Sequence, residues 1–358
     1  MSCSLIPLPF RRPLHNCGDG IIKEVVAEEA EEVAMSHRSM GQLSLADQLV
    51  KRRPGQNEGL ARLAAMIKWR PIERALAAVY SAGEGRPSYP PLLMFKCLLL
   101  QQWYALSDPQ LEEALADRLS FRRFVGLPLD EEVPDYSTIS RFRAQLAQLK
   151  LGDRLFAELN RQLEGRGLLV KHGTMLDATL LEASVKPPRD AHSTPGQGSP
   201  LDPAADWTKR GNKAWFGYKA HIAMDQGSEL IRVAIMTSAK VADSTMGDNL
   251  ICGDERAVYA DKGYESIARS AWLAERGIID GIMRKLMRHS RDPHPVLKAR
   301  NRRLAKIRGA VERKFAVMKE RYRWRRVRYR GLVKNHLHLL LLCFAMNLRR
   351  ADALRGAA

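Results

Sequence analysis

The spacing of apolar residues changes near residue 170, and this change limits the fold more than any other feature of the chain. Before it, apolar residues recur every three or four positions, as in Leu92, Phe95 and Leu99, which is the period of amphipathic helices. Over residues 173–181 they alternate instead, as in a β-strand. The sequence therefore predicts an α+β protein, in which an all-helical N-terminal region precedes a region that contains a sheet.

The second region reads as strand, hairpin, strand, helix, strand, helix. A hairpin is predicted because two strand-like runs flank the turn sequence Asp225-Gln226-Gly227. Residues 187–212 are rich in Pro, Ser, Gly and charge, so they are predicted as a loop. The expected strands are 173–181, 215–224, 230–237, 257–261 and 278–283, and the expected helices are 265–276 and 296–320. This order predicts an α/β domain with a mixed five-stranded sheet over residues 170–350.

The charge of the chain favours a polyanionic partner. It has 58 Lys and Arg against 40 Asp and Glu, a formal net charge of +18, which indicates nucleic acid before a membrane surface. The longest apolar run, Leu339–Leu348, is about ten residues, whereas a membrane helix needs about 20. The five cysteines are scattered without a Cys-x-x-Cys pair, which argues against a zinc ribbon or a disulfide scaffold and predicts a cytoplasmic location.

The first 34 residues differ in composition from the rest. They hold six acidic residues against three basic ones, although the whole chain is strongly basic. Met35 follows directly, so we expect 1–34 to be an acidic, poorly ordered extension from an upstream start codon. An acidic helix from Ile21 to Val33 is the alternative. The helical domain is then expected over 35–165.

Polar residues open one helix of that domain, directly after Asp135. Ser137, Thr138 and Arg141 fall on its first turns, where such residues contact phosphates and base edges in helix-turn-helix units. The sequence therefore predicts a DNA-binding unit of the helix-turn-helix kind with these three residues as contacts. Ordinary helical packing is the alternative.

Three acidic residues lie where an active site could form. Asp177 interrupts an otherwise apolar strand, and a carboxylate there destabilises the fold unless it is paired or bound to a metal. Asp261 ends the strand 257–261, and sites of α/β folds form at strand ends. Glu312 lies on the long basic helix. Three carboxylates on one rim repel one another unless divalent cations screen them, and oxygen ligands of this kind select Mg²⁺ or Mn²⁺.

The long helix 296–320 is expected to carry an apolar stripe beside a polar one. The apolar stripe comprises Leu304, Ile307, Val311, Phe315 and Met318, and the polar one Arg308, Glu312 and Lys319. Two metal ions roughly 4 Å apart on the rim would activate a water or a 3′-hydroxyl for phosphoryl transfer. Simpler readings stay open, since Asp177 could cap a strand end and Glu312 could only pair with Arg308.

Residues 284–330 form the most basic part of the chain. They contain 19 Lys or Arg and three acidic residues, and aromatic residues interleave with the arginines from 321 to 330. This composition suits phosphate contacts and base stacking, so Arg321 and Arg325 are predicted to contact DNA. A solvated basic face is the alternative.

Several motifs together resemble one protein family. They are Arg86-Pro-Ser-Tyr-Pro-Pro, Gln102-Trp-Tyr-Ala-Leu-Ser-Asp, Gly173-Thr-Met-Leu-Asp177-Ala-Thr, Lys219-Ala-His221-Ile, Ala260-Asp261-Lys-Gly-Tyr264 and Arg308-Gly-Ala-Val-Glu312. On these motifs the chain resembles, from about Met35 to Leu354, the DDE transposases of the insertion sequence five family, which bacterial mobile elements encode. The family's last signature reads Tyr, Arg, Glu and Lys, separated by two, three and six residues. Arg308, Glu312 and Lys319 match it, whereas Ala305 replaces the Tyr.

The resemblance implies an RNase H-like catalytic domain in which Asp177, Asp261 and Glu312 bind the metal. Arg308 and Lys319 would contact DNA near the scissile phosphate. The implied reaction is cleavage at the terminal inverted repeats of the element and transfer of the 3′-hydroxyl into double-stranded target DNA, by a homo-oligomer that acts at the nucleoid. The alternatives are a decayed or domesticated transposase that only binds DNA, and a nuclease of the same fold that cuts without joining.

Overall fold

The computed structural model describes residues 58–79, 88–187, 199–285 and 295–356. The predictions for the acidic extension 1–34 fall outside these ranges. Within the ranges, the structure contains no helix with both the length and the hydropathy needed to cross a bilayer.

Helices alone, apart from one isolated bridge residue, make up the described part of the N-terminal region. They are α1 (Glu58–Ala65), α2 (Trp69–Leu76), α3 (Pro91–Tyr104), α4 (Asp108–Asp117), α5 (Leu119–Val125), α6 (Tyr136–Gln148) and α7 (Leu151–Glu164), with a short 3-10 helix (Ala77–Val79) after α2. Polar caps set two of the helix starts. Ser107 and Gln110 form a capping box at α4, and the Asp135 carboxylate accepts a hydrogen bond from the backbone N–H of Thr138 at α6. The predicted helical region is confirmed.

One mixed sheet forms the second region. Its strands are β1 (Thr174–Glu182), β2 (Asp206–Arg210), β3 (Lys213–Asp225), β4 (Ile231–Ser238), β5 (Ala257–Ala260) and β6 (Ile279–Ile282). The helices α8 (Asp243–Leu250), α9 (Ile267–Glu275), α10 (Pro295–Glu320) and α11 (Leu332–Gly356) complete the region. β3 is antiparallel to β1, β2 and β4, whereas β5 is parallel to β1 and β6 to β5. The α+β class and the mixed sheet are confirmed.

The described sheet has one strand more than the five that the sequence predicts. The additional strand, β2, lies within 187–212, so the prediction of a loop throughout that segment is wrong there. β2 joins β3 across a tight turn at Gly211, whose φ of +60° favours glycine. The Trp207 ring packs on the Phe216 ring across the two strands, with centroids 5.3 Å apart. This cross-strand contact stabilises a strand that composition alone does not reveal.

Helices cover both faces of the sheet. On one face, Met175 of β1 and Ile222 of β3 belong to the same core as Val311 and Phe315 of α10. On the other face, α8 and α9 pack over a smaller, separate apolar cluster that includes Leu273. Side chains alternate between faces along a strand, so Asp177, two residues after Met175, points to the α10 face.

The core under α10 and α11 continues into the N-terminal helices. α11 packs on β4 on one side and on α3 and α7 on the other. The Trp103 indole N–H donates a hydrogen bond to the backbone oxygen of Ala345, over 2.8 Å. The side chain of Asn347 bonds the backbone N–H and C=O of Ile231 in β4, over 2.9 and 2.7 Å. α11 therefore joins the helical region to the sheet.

Candidate active site

Asp177 lies in the middle of β1, on the face that α10 covers. Its Oδ1 accepts a hydrogen bond from the backbone N–H of Ala178 over 2.9 Å, and its Oδ2 lies 3.2 Å from Nη2 of Arg308. The side chain is only 18% exposed. Asp177, which the sequence singles out as a charge in an apolar strand, is therefore largely buried. One guanidinium, that of Arg308, compensates its carboxylate.

The surroundings of Asp177 raise its pKa to about 6. Burial, which disfavours the charged form, is the largest cause, and the charges of Asp261 and Glu312 raise the pKa further. Arg308 and the Ala178 N–H act in the opposite direction. The carboxylates of Asp261 and Glu312 thus lie close enough to act electrostatically on Asp177.

Asp261 follows β5 directly, next to β1. The parallel register pairs Thr174 with Val258 and Met175 with Tyr259. Continued by two residues, this register brings Asp261 to the level of Asp177 on the neighbouring strand, and adjacent strands lie about 4.8 Å apart. The Asp261 Oδ1 accepts a hydrogen bond from the backbone N–H of Gly263 over 2.6 Å, at the start of a 3-10 turn. This turn fixes the carboxylate at the strand end.

Glu312 approaches from α10, which packs on β1. Val311, one residue earlier, is fully buried, whereas the Glu312 side chain is 63% exposed. Its Oε1 lies 4.0 Å from Nη2 of Arg308, four residues before it on the helix. The simpler interpretation, a pairing of Glu312 with Arg308, is therefore present as a long contact. Its Glu312 end is exposed to solvent, so it contributes little to stability.

Arg308 lies between two of the three acids. Its side chain is 8% exposed, Nη2 lies near Asp177 and Glu312, and Nη1 lies 3.9 Å from Sδ of Met283. The sequence places Arg308 on a polar stripe as a DNA contact, but the guanidinium is turned inward. The apolar stripe beside it is confirmed, because Val311, Phe315 and Met318 are buried.

The predicted DNA contacts at the start of α6 interact with one another. The Ser137 hydroxyl donates a hydrogen bond to Oδ1 of Asp135 over 2.8 Å. The Arg141 guanidinium donates to the hydroxyls of Ser137 and Thr138 over 3.3 and 3.1 Å, and its side chain is on the surface. The three residues form one exposed polar cluster, and their role in DNA binding stays a prediction.

The predicted DNA contacts at the end of α10 are spread over separate places. Lys319 is half-buried on α10, two turns after Glu312. Arg321 is exposed just after the helix and lines a pocket, and Arg325 is exposed and pairs with Glu320. Neither Arg321 nor Arg325 forms an ion pair with the predicted acids in the part of the chain that the structure describes.

Two family models match the chain. Residues 47–145 match a model described as a transposase domain (DUF772), and residues 171–348 match one described as a transposase DDE domain. The chain belongs to the DDE transposases of insertion sequences. The narrower assignment to the insertion sequence five family stays a prediction.

Members of the DDE family act on DNA and use divalent metal ions. The three carboxylates of this transposase offer only oxygen ligands, which fit Mg²⁺ or Mn²⁺. Within the described ranges, however, the one triplet whose ligand atoms all lie within 4.8 Å of one another is Cys252, Asp254 and Glu255. The three predicted acids do not form such a triplet, and the Arg308 guanidinium lies between Asp177 and Glu312.

The other triplet is a structural cluster of the transposase. Arg232 and Lys171 pair with Asp254, and Arg232 also lies 3.4 Å from Glu255. The Glu255 carboxylate further accepts the backbone N–H groups of Cys252, Gly253 and Asp254. Two cations and three N–H donors thus compensate these acids without a metal ion.

Two residues beside the site were not assigned a role from the sequence. Tyr264 is buried, and its hydroxyl has no hydrogen-bond partner among the residues described. Burial raises its pKa, and the charges of Asp243, Asp177 and Asp261 raise it further. Asp243 itself pairs with Lys219, Nζ to Oδ1 over 2.9 Å. The motifs contained Tyr264 and Lys219. The fold brings Tyr264 near Asp177 and Asp261, whose charges act on it, whereas Lys219 contacts Asp243 of α8.

Proposed function

We propose that this transposase cuts DNA at the terminal inverted repeats of its own insertion sequence and joins the 3′-hydroxyl ends to target DNA. Asp177, Asp261 and Glu312 hold the Mg²⁺ or Mn²⁺ ions in this proposal. The observation that carries it is the buried Asp177 carboxylate, whose pKa is raised to about 6 where two further acids act on it. A site that gathers negative charge at the expense of stability is typical of functional sites.

The chain's own residues position the reaction. The two aspartates would hold the metal ions from neighbouring strands of a rigid sheet, and Glu312 would hold them from the exposed side of α10. A metal ion held by these three carboxylates would supply Lewis-acid activation of the attacking and leaving oxygens. The Gly263 N–H orients Asp261, and Arg308 compensates the charge of Asp177 and Glu312. On DNA binding, Arg308 would turn toward a phosphate in this proposal. Lys319, Arg321 and Arg325 extend the basic surface for the DNA.

DNA binding also involves the helical region in this proposal. Ser137, Thr138 and Arg141 present two hydroxyls and a guanidinium at the exposed start of α6, which suits contacts with phosphates or base edges. Both ends of an element have to be cut and joined together, so we expect the active form to be a homo-oligomer on DNA.

The first prediction tests the three acids. Asp177→Asn, Asp261→Asn and Glu312→Gln each lower Mg²⁺-dependent cleavage of DNA containing the element ends by at least about a hundredfold, because each removes a charged metal ligand. Binding of the same DNA without metal persists in all three variants. Glu182→Gln is the matched control, since Glu182 is an exposed acid at the C-terminal end of β1 and pairs with Arg326. Undiminished cleavage by any of the three variants would show that the wrong carboxylate was chosen.

The same assay separates the alternatives. A wild-type protein that binds the ends without cutting them in Mg²⁺ or Mn²⁺ would be a DNA-binding remnant of a transposase. A protein that cuts but never forms joined products with a target duplex would be a nuclease. Joined products from the wild type, and their loss in Asp261→Asn, are the result that we expect.

A further inference from the structure

An arginine-rich pocket lies away from the three acids, between the helical region and the ends of α10 and α11. It is a cavity of about 350 Å³, and its polar lining comprises Arg62, Tyr104, Arg321, Arg349 and Asp352. Arg321 lies nine residues beyond Glu312, which corresponds to about 13 Å along a helix. The pocket is therefore a separate site.

The charge of the pocket is unbalanced. Three guanidinium groups face one carboxylate, and that carboxylate is already paired, since Oδ1 of Asp352 lies 3.3 Å from Nε of Arg62. Neither Arg321 nor Arg349 has a side-chain hydrogen bond or ion pair with any residue that the structure describes. The pocket thus has positive charge that an anion would compensate.

One of the residues that line the pocket has a buried polar atom without a partner. It is Nε of Arg349, which no acceptor in the described ranges reaches. Leaving a buried donor unpaired destabilises a fold, so such atoms usually have an acceptor in the functional state. The side chain of Arg349 projects from α11, the helix that joins the helical region to the sheet. An acceptor bound here would contact both parts of the molecule.

The shape and the rim of the pocket suit a phosphate group. Guanidinium groups match phosphate oxygens with paired N–H donors, and they bind phosphate with more directional hydrogen bonds than lysine does. Arg62 and Tyr104 lie at the rim, with 60% of the Arg62 side chain and 38% of Tyr104 exposed, so the pocket is open to solvent. The Tyr104 hydroxyl adds a further donor beside the arginines.

We propose that this arginine pocket, formed by Arg62, Arg321 and Arg349, binds a backbone phosphate of double-stranded DNA. The proposal rests on the proposed function, because it takes DNA as the anion. It adds a second fixed point for the duplex, some distance from the active site. The contact ties α1, α10 and α11 to one strand of the DNA, and it orients the duplex without reading its sequence.

The test measures DNA binding without metal, so it does not depend on cleavage. Full-length wild type, Arg349→Gln, Arg321→Gln and the double variant are titrated with a fluorescent duplex in EDTA at several salt concentrations. We expect the double variant to bind about tenfold more weakly and to lower the salt slope by about one to two, as for lost phosphate contacts. Arg161→Gln is the matched control, since this exposed arginine pairs with Glu158 outside the pocket.

A structural role predicts a different pattern. If Arg349 only supported the fold, Arg349→Gln would lower the melting temperature, whereas we expect no decrease because the substitution removes an unpaired buried donor. Wild-type affinity and salt slope in the double variant would overturn the proposal. A second result would also overturn it. If ATP stabilised the wild type but not the double variant, and both bound the duplex equally, the pocket would be a site for free nucleotides.

The pocket proposal and the proposed reaction can fail independently of each other. If the wild type cuts and joins DNA while the pocket variants bind duplex normally, only the pocket proposal fails. If the wild type never cuts DNA, yet the pocket variants lose duplex affinity and salt dependence, the pocket proposal stands and the proposed reaction fails.

Discussion

At the scale of single residues, the site contains a carboxylate, that of Asp177, whose charged form is unfavourable and is only partly compensated by Arg308. The Asp177 pKa of about 6 lies roughly two units above its unfolded value, so ionised Asp177 destabilises the metal-free protein by about 3 kcal/mol. Arg308 offsets part of the effect of burial on the Asp177 pKa, whereas the charges of Asp261 and Glu312 raise this pKa further. A bound cation would relieve all three acids at once, which links metal binding to stability.

The sign of this effect gives a pH-dependent prediction. A raised pKa adds stability that is complete below about pH 4 and is lost as the pH rises through about 6. Asp177→Asn carries no such titration, so in EDTA its free energy of unfolding exceeds that of the wild type by about 1–3 kcal/mol at pH 8 and by much less at pH 4. Urea unfolding at several pH values measures the difference.

Asp254→Asn serves as the control of opposite sign. The ion pairs with Lys171 and Arg232 lower the pKa of Asp254 to about 2, so the charged form is favoured in the folded protein. This variant should be less stable than the wild type at neutral pH, and the deficit should shrink as the pH falls toward 2. An Asp177→Asn difference that is constant with pH would contradict the assigned burial of the carboxylate.

What the sequence reveals differs between these residues. Asp177 stands out because a charge in an apolar strand requires an explanation. Arg308 does not, since its place four residues before Glu312 suits a surface pair, a DNA contact or an inward contact equally well. Only the packing of α10 on β1, with Met283 beside the guanidinium, turns it toward Asp177.

At the scale of elements, the turn after β5 controls one of the acids. A Cβ on Gly263 would lie 2.8 Å from Oδ1 of Asp261, closer than ordinary contacts allow. Gly263→Ala therefore displaces the Asp261 carboxylate from its bond with the residue 263 N–H. We expect a loss of Mg²⁺-dependent cleavage of about tenfold to a hundredfold, because small displacements of catalytic groups have large effects on rate.

DNA binding in EDTA and the melting temperature should change little in Gly263→Ala, because the effect is confined to the turn. Gly309→Ala is the control, since a Cβ there meets only the far end of Arg313 at 3.5 Å and alanine favours the helix α10. Cleavage by Gly263→Ala at the wild-type rate would argue that this turn does not position a catalytic carboxylate.

The elements that the sequence predicts are those with clear periodicity. The hairpin of β3 and β4 and the long helix α10 follow from alternation and from an apolar stripe. α11 has no such stripe, since residues 337–348 are buried on all sides, and a helix buried all round shows no period. α8 is short and mostly polar, and its first residue, Asp243, is held by Lys219 of β3. Tertiary contacts decide such elements, so the sequence alone does not.

At the scale of the whole molecule, the helical region and the sheet share one apolar core. Residues of α3, α7 and α11 belong to the same core as residues of β1, β3 and β4. The Asn347 side chain extends the connection, because its Nδ2 bonds the Asn160 Oδ1 of α7 as well as β4. Such packing predicts that both regions unfold as one cooperative unit, although their sequence patterns differ sharply.

Phe344→Ala tests this cooperativity. Phe344 is buried on α11, and its ring meets that of Phe95 on α3 edge-on, with centroids 5.2 Å apart. Its loss leaves a cavity and should lower the free energy of unfolding by about 3–5 kcal/mol. Because the core is shared, native-state hydrogen exchange should show amides of α3 and of β1 losing protection by the same amount. Leu332→Ala, at the exposed start of α11, should change neither. Loss of protection in α3 alone would mean that the helical region unfolds independently, and the two family domains would then be separate folding units joined by α11.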